Sequence, residues 1–279
     1  LLGDSFVEGY DDANTLSAHV WEALRSRGVP AAVFNAGASS YSPLIYTVQA
    51  KRLVSVLAPD LVVVVLDETD LGDDLLRYRS LAVRNERHRI VAVRSSSAHR
   101  QFAAGFLALK RDPPALYIER LVRRVYLARL SASTAAGRAA IDAVDPLVFA
   151  RDTEPGAAQR YAGEIAEFRD NLDELVATLV DLAGDPRRVL LVTHPHLAHL
   201  QPDADGRTWN RFVASAAASV AAHRGVGIFD ARAALEAAFA GKPEGYYWRD
   251  DMHFNFAGLR VYGEALGAEV GRRLAAGER

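Results

Sequence analysis

Asp60-Leu61-Val62-Val63-Val64-Val65-Leu66 runs directly into Asp67-Glu68-Thr69-Asp70. A β-branched run that is apolar at every position is the pattern of a strand covered on both faces, as in a parallel sheet; a strand with one wet face would alternate. The run ends abruptly in acidic and hydroxyl groups. Turn chemistry alone can account for such a cluster, but the carboxyl ends of parallel strands are also where α/β proteins place their chemistry.

Working outward, four further short apolar segments have the same character: Leu1-Leu2, Ala31 to Asn35, Arg188 to Thr193 and Val226 to Asp230. Between them lie segments of helical spacing. Asn14 to Arg27 carries Leu16, Val20 and Leu24; Ser42-Pro43 starts a helix to Leu57, with serine as N-cap and proline in the first turn. Tyr161 to Leu182 shows one apolar stripe through Ile165, Phe168, Leu172, Leu175, Val176, Leu179 and Leu182. Trp209 to His223, Ala231 to Phe239 and Ala257 to Leu274 complete the set. Strands alternating with helices imply an α/β fold, a five-stranded parallel sheet with helices on both faces, because parallel neighbours need right-handed crossovers.

The alternation stops after Asp74. From about residue 76 to 158 the chain is too long for a simple connection, so this stretch is expected to be a large, mostly helical insertion or lid on a single domain of 279 residues. Ser80 to Val83 and Arg89 to Val93 are expected to pair as a hairpin around Asn85-Glu86, and Ala115 to Leu130 to form a helix. Between Arg77 and Leu130 basic residues outnumber acidic ones about four to one. That balance suits a solvated surface, or a basic lid facing an anionic polymer or a membrane surface.

The net charge of -2 argues against a general polyanion binder, and no nucleic-acid motif is present. With no cysteine there is no disulfide, thiolate metal site or cysteine nucleophile. No apolar run is long enough to cross a bilayer. The sequence opens without methionine and inside a strand, so residues are expected upstream, where a signal or anchor would leave an exported or cell-surface location open.

Gly3-Asp4-Ser5 follows the first apolar segment, and Asp250-Asp251-Met252-His253 stands near the other end, behind the aromatic Tyr246-Tyr247-Trp248. A serine hydroxyl becomes a useful nucleophile only when a base takes its proton and a third group orients the base. In a parallel sheet the segments after Leu2, Asn35, Leu66 and Thr193 emerge at one edge, so Ser5, Ser40, Thr69 and His194 converge there. His253 is the expected base and Asp250 the group that holds it, with Asp251 a competitor for that role. His194, His196 and His199 invite a metal reading, but no carboxylate stands at matching spacing and the segment follows a strand; a cleft-lining loop is preferred, with no metal and no cofactor.

These blocks resemble the SGNH, or GDSL, hydrolases: Gly3-Asp4-Ser5 near the start, a small-residue loop after the second strand, an acidic loop after the third, and Asp250-x-x-His253 near the end. The resemblance covers residues 1 to 75 and 160 to 275. It implies a flavodoxin-like three-layer α/β/α fold, a Ser-His-Asp triad that needs no metal, and hydrolysis of acyl esters, often acetyl groups on carbohydrates or lipids. The spacing favours Asp250 over Asp251. The oxyanion hole implied is the amide of Ser5, an amide at Ser40 where the family has glycine (or at Gly37 in a shifted register), and Thr69 in the place of asparagine. Asp4, Gly37, Asp67, Glu68, Asp70, His194, His196 and Trp248 are the expected cleft residues. The leading expectation is a serine esterase or acyltransferase acting on a small or glycan ester. The alternative is a catalytically weak SGNH-fold module that binds an anionic glycan or acts as a scaffold, motivated by Thr69 and the basic insertion.

Overall fold

In the computed structural model, which describes residues 1–94, 145–249 and 251–276, five strands form one parallel sheet. In chain order the elements that matter are β1 (Leu2–Gly3), α1 (Ser5–Glu8), α2 (Leu16–Ser26), β2 (Ala36–Gly37), α3 (Pro43–Leu57), β3 (Val62–Leu66) and α4 (Thr69–Gly72). After a hairpin, β4 (Ala82–Arg84) and β5 (Ile90–Val93), come α5 (Ala162–Ala183), β6 (Val189–Thr193), α6 (Phe212–Arg224), β7 (Gly227–Asp230), α7 (Arg232–Phe239) and α8 (Phe256–Ala275).

The sheet order is β2-β1-β3-β6-β7, every pairing parallel. Pleating divides the core into two layers. Val62, Val64 and Leu66 of β3, with Val189 and Leu191 of β6, meet α3, α5 and α6 on one face. Val63, Val65, Leu190 and Val192 meet α2, α7 and α8 on the other. All ten residues of β3 and β6 are buried, which is why neither strand alternates in sequence. The chain leaves β1 toward one side of the sheet and β3 toward the other. This topological switch opens a crevice at the carboxyl ends of those two strands.

The second strand is displaced from its expected position. Residues 31 to 35 do not join the sheet; pairing begins at Ala36 and consists of Leu2 with Ala36 and Gly3 with Gly37. The expected hairpin forms as Ala82–Arg84 against Ile90–Val93, turned at Asn85, with Ile90 packed on Leu44 and Tyr78. The expected helix at 115 to 130 and most of the basic segment lie outside the described residues. Among the described residues no helix is long and apolar enough to cross a membrane.

Gly37 fixes the approach of α1 to the sheet. A Cβ there would lie 2.3 Å from Glu8 N and 2.6 Å from Val7 C, both backbone atoms that cannot move aside. Gly37→Ala should therefore cost about 1–3 kcal/mol, the usual size of an overpacking defect. A lower midpoint in urea unfolding would register the loss, and an unchanged midpoint would show that α1 is not held by this contact.

Candidate active site

α1 begins at the end of β1 with Asp4 as its N-cap; the Asp4 carboxylate accepts from Phe6 N at 2.9 Å. Ser5 is thus the first residue of a helical turn, where a backbone N–H has no intrahelical acceptor and points out of the turn. Asn35 secures this turn to the edge strand, donating to Val7 O at 3.0 Å and accepting from Gly37 N at 2.9 Å. The Gly37 N–H is thereby occupied, so a shifted-register oxyanion role for Gly37 does not hold; the residue permits close packing instead.

His253 arrives from the segment before α8. Its Nε2 lies 2.7 Å from Ser5 Oγ, and its Nδ1 lies 2.5 Å from Asp251 Oδ1. Asp251 also accepts from the His253 backbone N–H at 3.2 Å. An aspartate curling back onto the amide two residues ahead is an Asx turn, and here the turn carries the carboxylate to the ring. Among the described residues the carboxylate against His253 Nδ1 is that of Asp251; Asp250, the expected orienting residue, lies outside the described residues. Burial works to raise the Asp251 pKa, but the hydrogen bond and charge of His253 lower it overall, so the carboxylate is ionised at neutral pH. An ionised partner accepts a hydrogen bond from Nδ1–H, which holds the proton there and leaves the Nε2 lone pair facing the serine hydroxyl. The Phe6 ring lies 4.6 Å from the imidazole and backs it.

Ser40 sits in a tight turn closed by Tyr41 N donating to Ala38 O. Its φ of 60° is the left-handed conformation that glycine adopts most readily. Ser40 Oγ accepts from Arg77 Nη1 at 2.8 Å, and among the described residues its N–H has no acceptor. Thr69 is different. Both its N–H and its hydroxyl donate to Asp67 Oδ1 at 2.5 Å, and the side chain is buried. A threonine has one hydroxyl proton, and this one is directed inward, away from the oxyanion role expected of it.

Several expected cleft residues form the interior that supports the site. Glu68 accepts from Val213 N at 2.9 Å and Ala214 N at 3.3 Å, binding the N-terminus of α6, and burial pushes its pKa up to about 7. Asp70 is fully buried and accepts from Asp67 N and Tyr46 OH. Asp4 and Asp67 form a buried carboxyl pair. Burial, then the neighbouring Asp67 charge, raises Asp4 well above the carboxylate range; burial works to raise Asp67 as well, but His196 beside it lowers it overall. His194 packs tilted against the Phe6 ring at 4.3 Å, and burial lowers its pKa to about 3, so it is a neutral core ring. His196 Nε2 stands 3.6 Å from Asp67 Oδ2. His199 accepts from His196 N. Among the described residues no group of three or more such side chains is arranged to hold a metal ion. Trp248 stands at the rim, its indole donating to Tyr10 OH at 2.6 Å. Sequence reasoning did not single out Phe6, Tyr10, Asn35 or Arg77; only an Asn two residues before a tight glycine contact offered a local signal.

A family model described as the GDSL-like lipase/acylhydrolase family matches residues 1–261. Among solved structures, a lipase/acylhydrolase from Enterococcus faecalis superposes with a TM-score of 0.51 at 17% identity, over 98% of this chain and 94% of that one. A single-site variant of an acetyl-xylooligosaccharide esterase from Geobacillus Stearmophilus gives 0.50 at 14% identity, over 97% and 92%. No curated protein matches the chain.

The buried acids give the site a pH signature. Asp74 accepts from Ser42 Oγ, Leu44 N and Asn171 Nδ2 at the start of α3, and burial raises its pKa to about 7. A carboxyl that holds its proton more tightly when folded contributes stability in full below about pH 4, its unfolded pKa, and loses it as pH rises through 7. The buried neutral His194 and His199 act oppositely but only below their ordinary value of 6.5. Between about pH 4.5 and 7, wild type should lose Tm relative to Asp74→Asn as pH rises, and above that the difference should level off. Parallel Tm curves for the two proteins would show that Asp74 ionises normally.

Proposed function

We propose that this chain, which belongs to the GDSL-like lipase/acylhydrolase family, is a serine esterase for small acyl groups, acetyl above all, carried on an alcohol such as a sugar. The observation that carries the reading is the continuous line Asp251 Oδ1, His253 Nδ1, His253 Nε2, Ser5 Oγ, with contacts of 2.5 and 2.7 Å, at the mouth of the crevice.

In this mechanism Ser5 Oγ attacks the ester carbonyl while His253 Nε2 takes its proton, and ionised Asp251 stabilises the imidazolium and fixes its tautomer. The tetrahedral oxyanion is met by the N–H of Ser5, at the start of α1, and the N–H of Ser40. The imidazolium then protonates the departing alcohol, leaving an acyl-Ser5 ester. Water, activated by the same histidine, releases the acid; an alcohol in place of water would give transfer. Five of the six acids behind the site are pushed toward the neutral form by burial: Asp4, Glu68, Asp70, Asp73 and Asp74. They oppose a developing anion less than their number suggests.

Thr69 favours a second reading, a weakly active binding module. With its hydroxyl committed to Asp67, the oxyanion has two amide donors instead of two amides and an asparagine. One missing donor costs about 3–4 kcal/mol, or roughly a hundredfold or more in rate.

Purified protein should hydrolyse 4-nitrophenyl acetate and become labelled at Ser5 by a fluorophosphonate, both abolished by Ser5→Ala. Absence of both in wild type would leave the binding reading. Asp251→Asn should reduce kcat by about 10³–10⁴, as loss of the orienting carboxylate does elsewhere, and by far more than Asp250→Asn. The reverse ranking would return the role to Asp250.

A further inference from the structure

Ser40 holds a conformation that its own side chain resists. At a φ of 60° the Cβ crowds the following carbonyl, which is why glycine favours this region. Its N–H is nonetheless one of the two amides left to meet the oxyanion, so the turn needs a hold besides the bond from Tyr41 N to Ala38 O. Arg77 supplies one: its Nη1 donates to Ser40 Oγ at 2.8 Å, across 37 positions of chain. We propose that Arg77 is a positioning residue of the oxyanion hole, clamping Ser40 by its hydroxyl so that the N–H stays aimed at the developing anion; the proposal rests on the esterase reading above.

The local structure around Arg77 serves this contact. Arg77 lies on the π-helical turn Asp73–Tyr78, which follows α4 directly and is a rare element that recurs at functional sites. One turn back, Asp73 Oδ1 stands 2.6 Å from the same Nη1 and steers it. The arginine side chain is only 14% exposed, and among the described residues its Nε has no hydrogen-bond acceptor. An arginine kept for an ion pair alone would turn its fork on the carboxylate and engage two nitrogens. Here one nitrogen is shared between a carboxylate and a serine hydroxyl, so the ion pair holds the guanidinium against Ser40.

The pair also connects two departures from the pattern the sequence resembles. Where that pattern has glycine, this chain has a serine, which gives up glycine's freedom but offers an oxygen that Arg77 grips. Where it has asparagine, this chain has Thr69, whose hydroxyl is committed to Asp67. With two amides in place of three donors, the aim of each matters more. A Ser40 turn free to relax out of the left-handed region would remove one of the two.

The test is a double-mutant cycle on kcat for 4-nitrophenyl acetate, with Arg77→Ala and Arg77→Lys made in wild type and in Ser40→Gly. Ser40→Gly removes the hydroxyl and leaves a residue that takes a positive φ unaided. In the wild-type background Arg77→Ala should lower kcat by about tenfold or more, up to the roughly hundredfold that a lost oxyanion donor costs, with KM changed less than about twofold. Arg77→Lys, which keeps a donor for the hydroxyl, should recover part of the loss. In Ser40→Gly the Arg77→Ala change should alter kcat by less than about twofold. Equal losses in the two backgrounds would show that Arg77 does not act through Ser40, and no loss in wild type would show that the clamp is not needed; either result overturns the proposal and leaves the esterase reading intact. Arg77→Met, which keeps the length of the side chain, carries the same comparison if Arg77→Ala does not fold. If wild type neither turns over nor is labelled at Ser5 by a fluorophosphonate, the esterase reading fails by itself, and the ¹⁵N order parameter of the Ser40 amide decides the clamp. A fall from the rigid value of about 0.85 toward about 0.6 in the Arg77 variant supports it, and an unchanged value overturns it.

Discussion

The hydrogen bond between Ser5 Oγ and His253 Nε2 joins residues 248 positions apart, and the parallel sheet is what brings them together. β1 ends at Gly3 with a serine two residues on, while the C-terminal helix α8 packs along α2 on the same face of the sheet. With α8 so placed, the turn before it lies over the carboxyl end of β1. Small residues make this packing tight. A Cβ on Gly263 would come within 2.3 Å of His19 Cβ, and one on Gly267 within 2.5 Å of Ala23 Cβ, both on α2. Enlarging either would lift the segment that carries the base.

Behind the serine the interior is unusually acidic. Carboxyl groups are rarely buried unless they are hydrogen-bonded or neutralised, and here both devices operate. Glu68 and Asp74 bind the amides at the starts of α6 and α3, so each acid fixes a helix whose far end packs on the sheet. Asp67 gathers the N–H and hydroxyl of Thr69. The loop after β3 is thus a knot of acids holding helix ends together. Thr69, from which an oxyanion donor was expected, is given over to holding that knot.

Much of this was legible from residues alone where burial leaves a mark in composition. β3 and β6 were plain because covered strands exclude polar residues, and α5 because its stripe repeats through 22 residues. Ser5 and His253 were plain because their chemistry needs those side chains. Decisions made by three-dimensional contacts were not. Asp250 and Asp251 are the same residue type side by side, and composition cannot rank them. Glu68 reads as a cleft acid until the amide of Val213, 145 positions away, is placed on it. Trp209 reads as the start of a helix until that helix is seen to begin at Phe212.

The most direct test of the central contact is the protonation pattern of the His253 ring in solution, read from histidine side-chain ¹⁵N–¹H correlations in wild type and Ser5→Ala near neutral pH. An Asp251-held, serine-facing imidazole carries its proton on Nδ1, with an unprotonated Nε2 whose ¹⁵N shift moves when the serine hydroxyl is removed. A proton on Nε2, or an Nε2 signal indifferent to Ser5→Ala, would mean that the two ends of the chain do not meet as base and nucleophile.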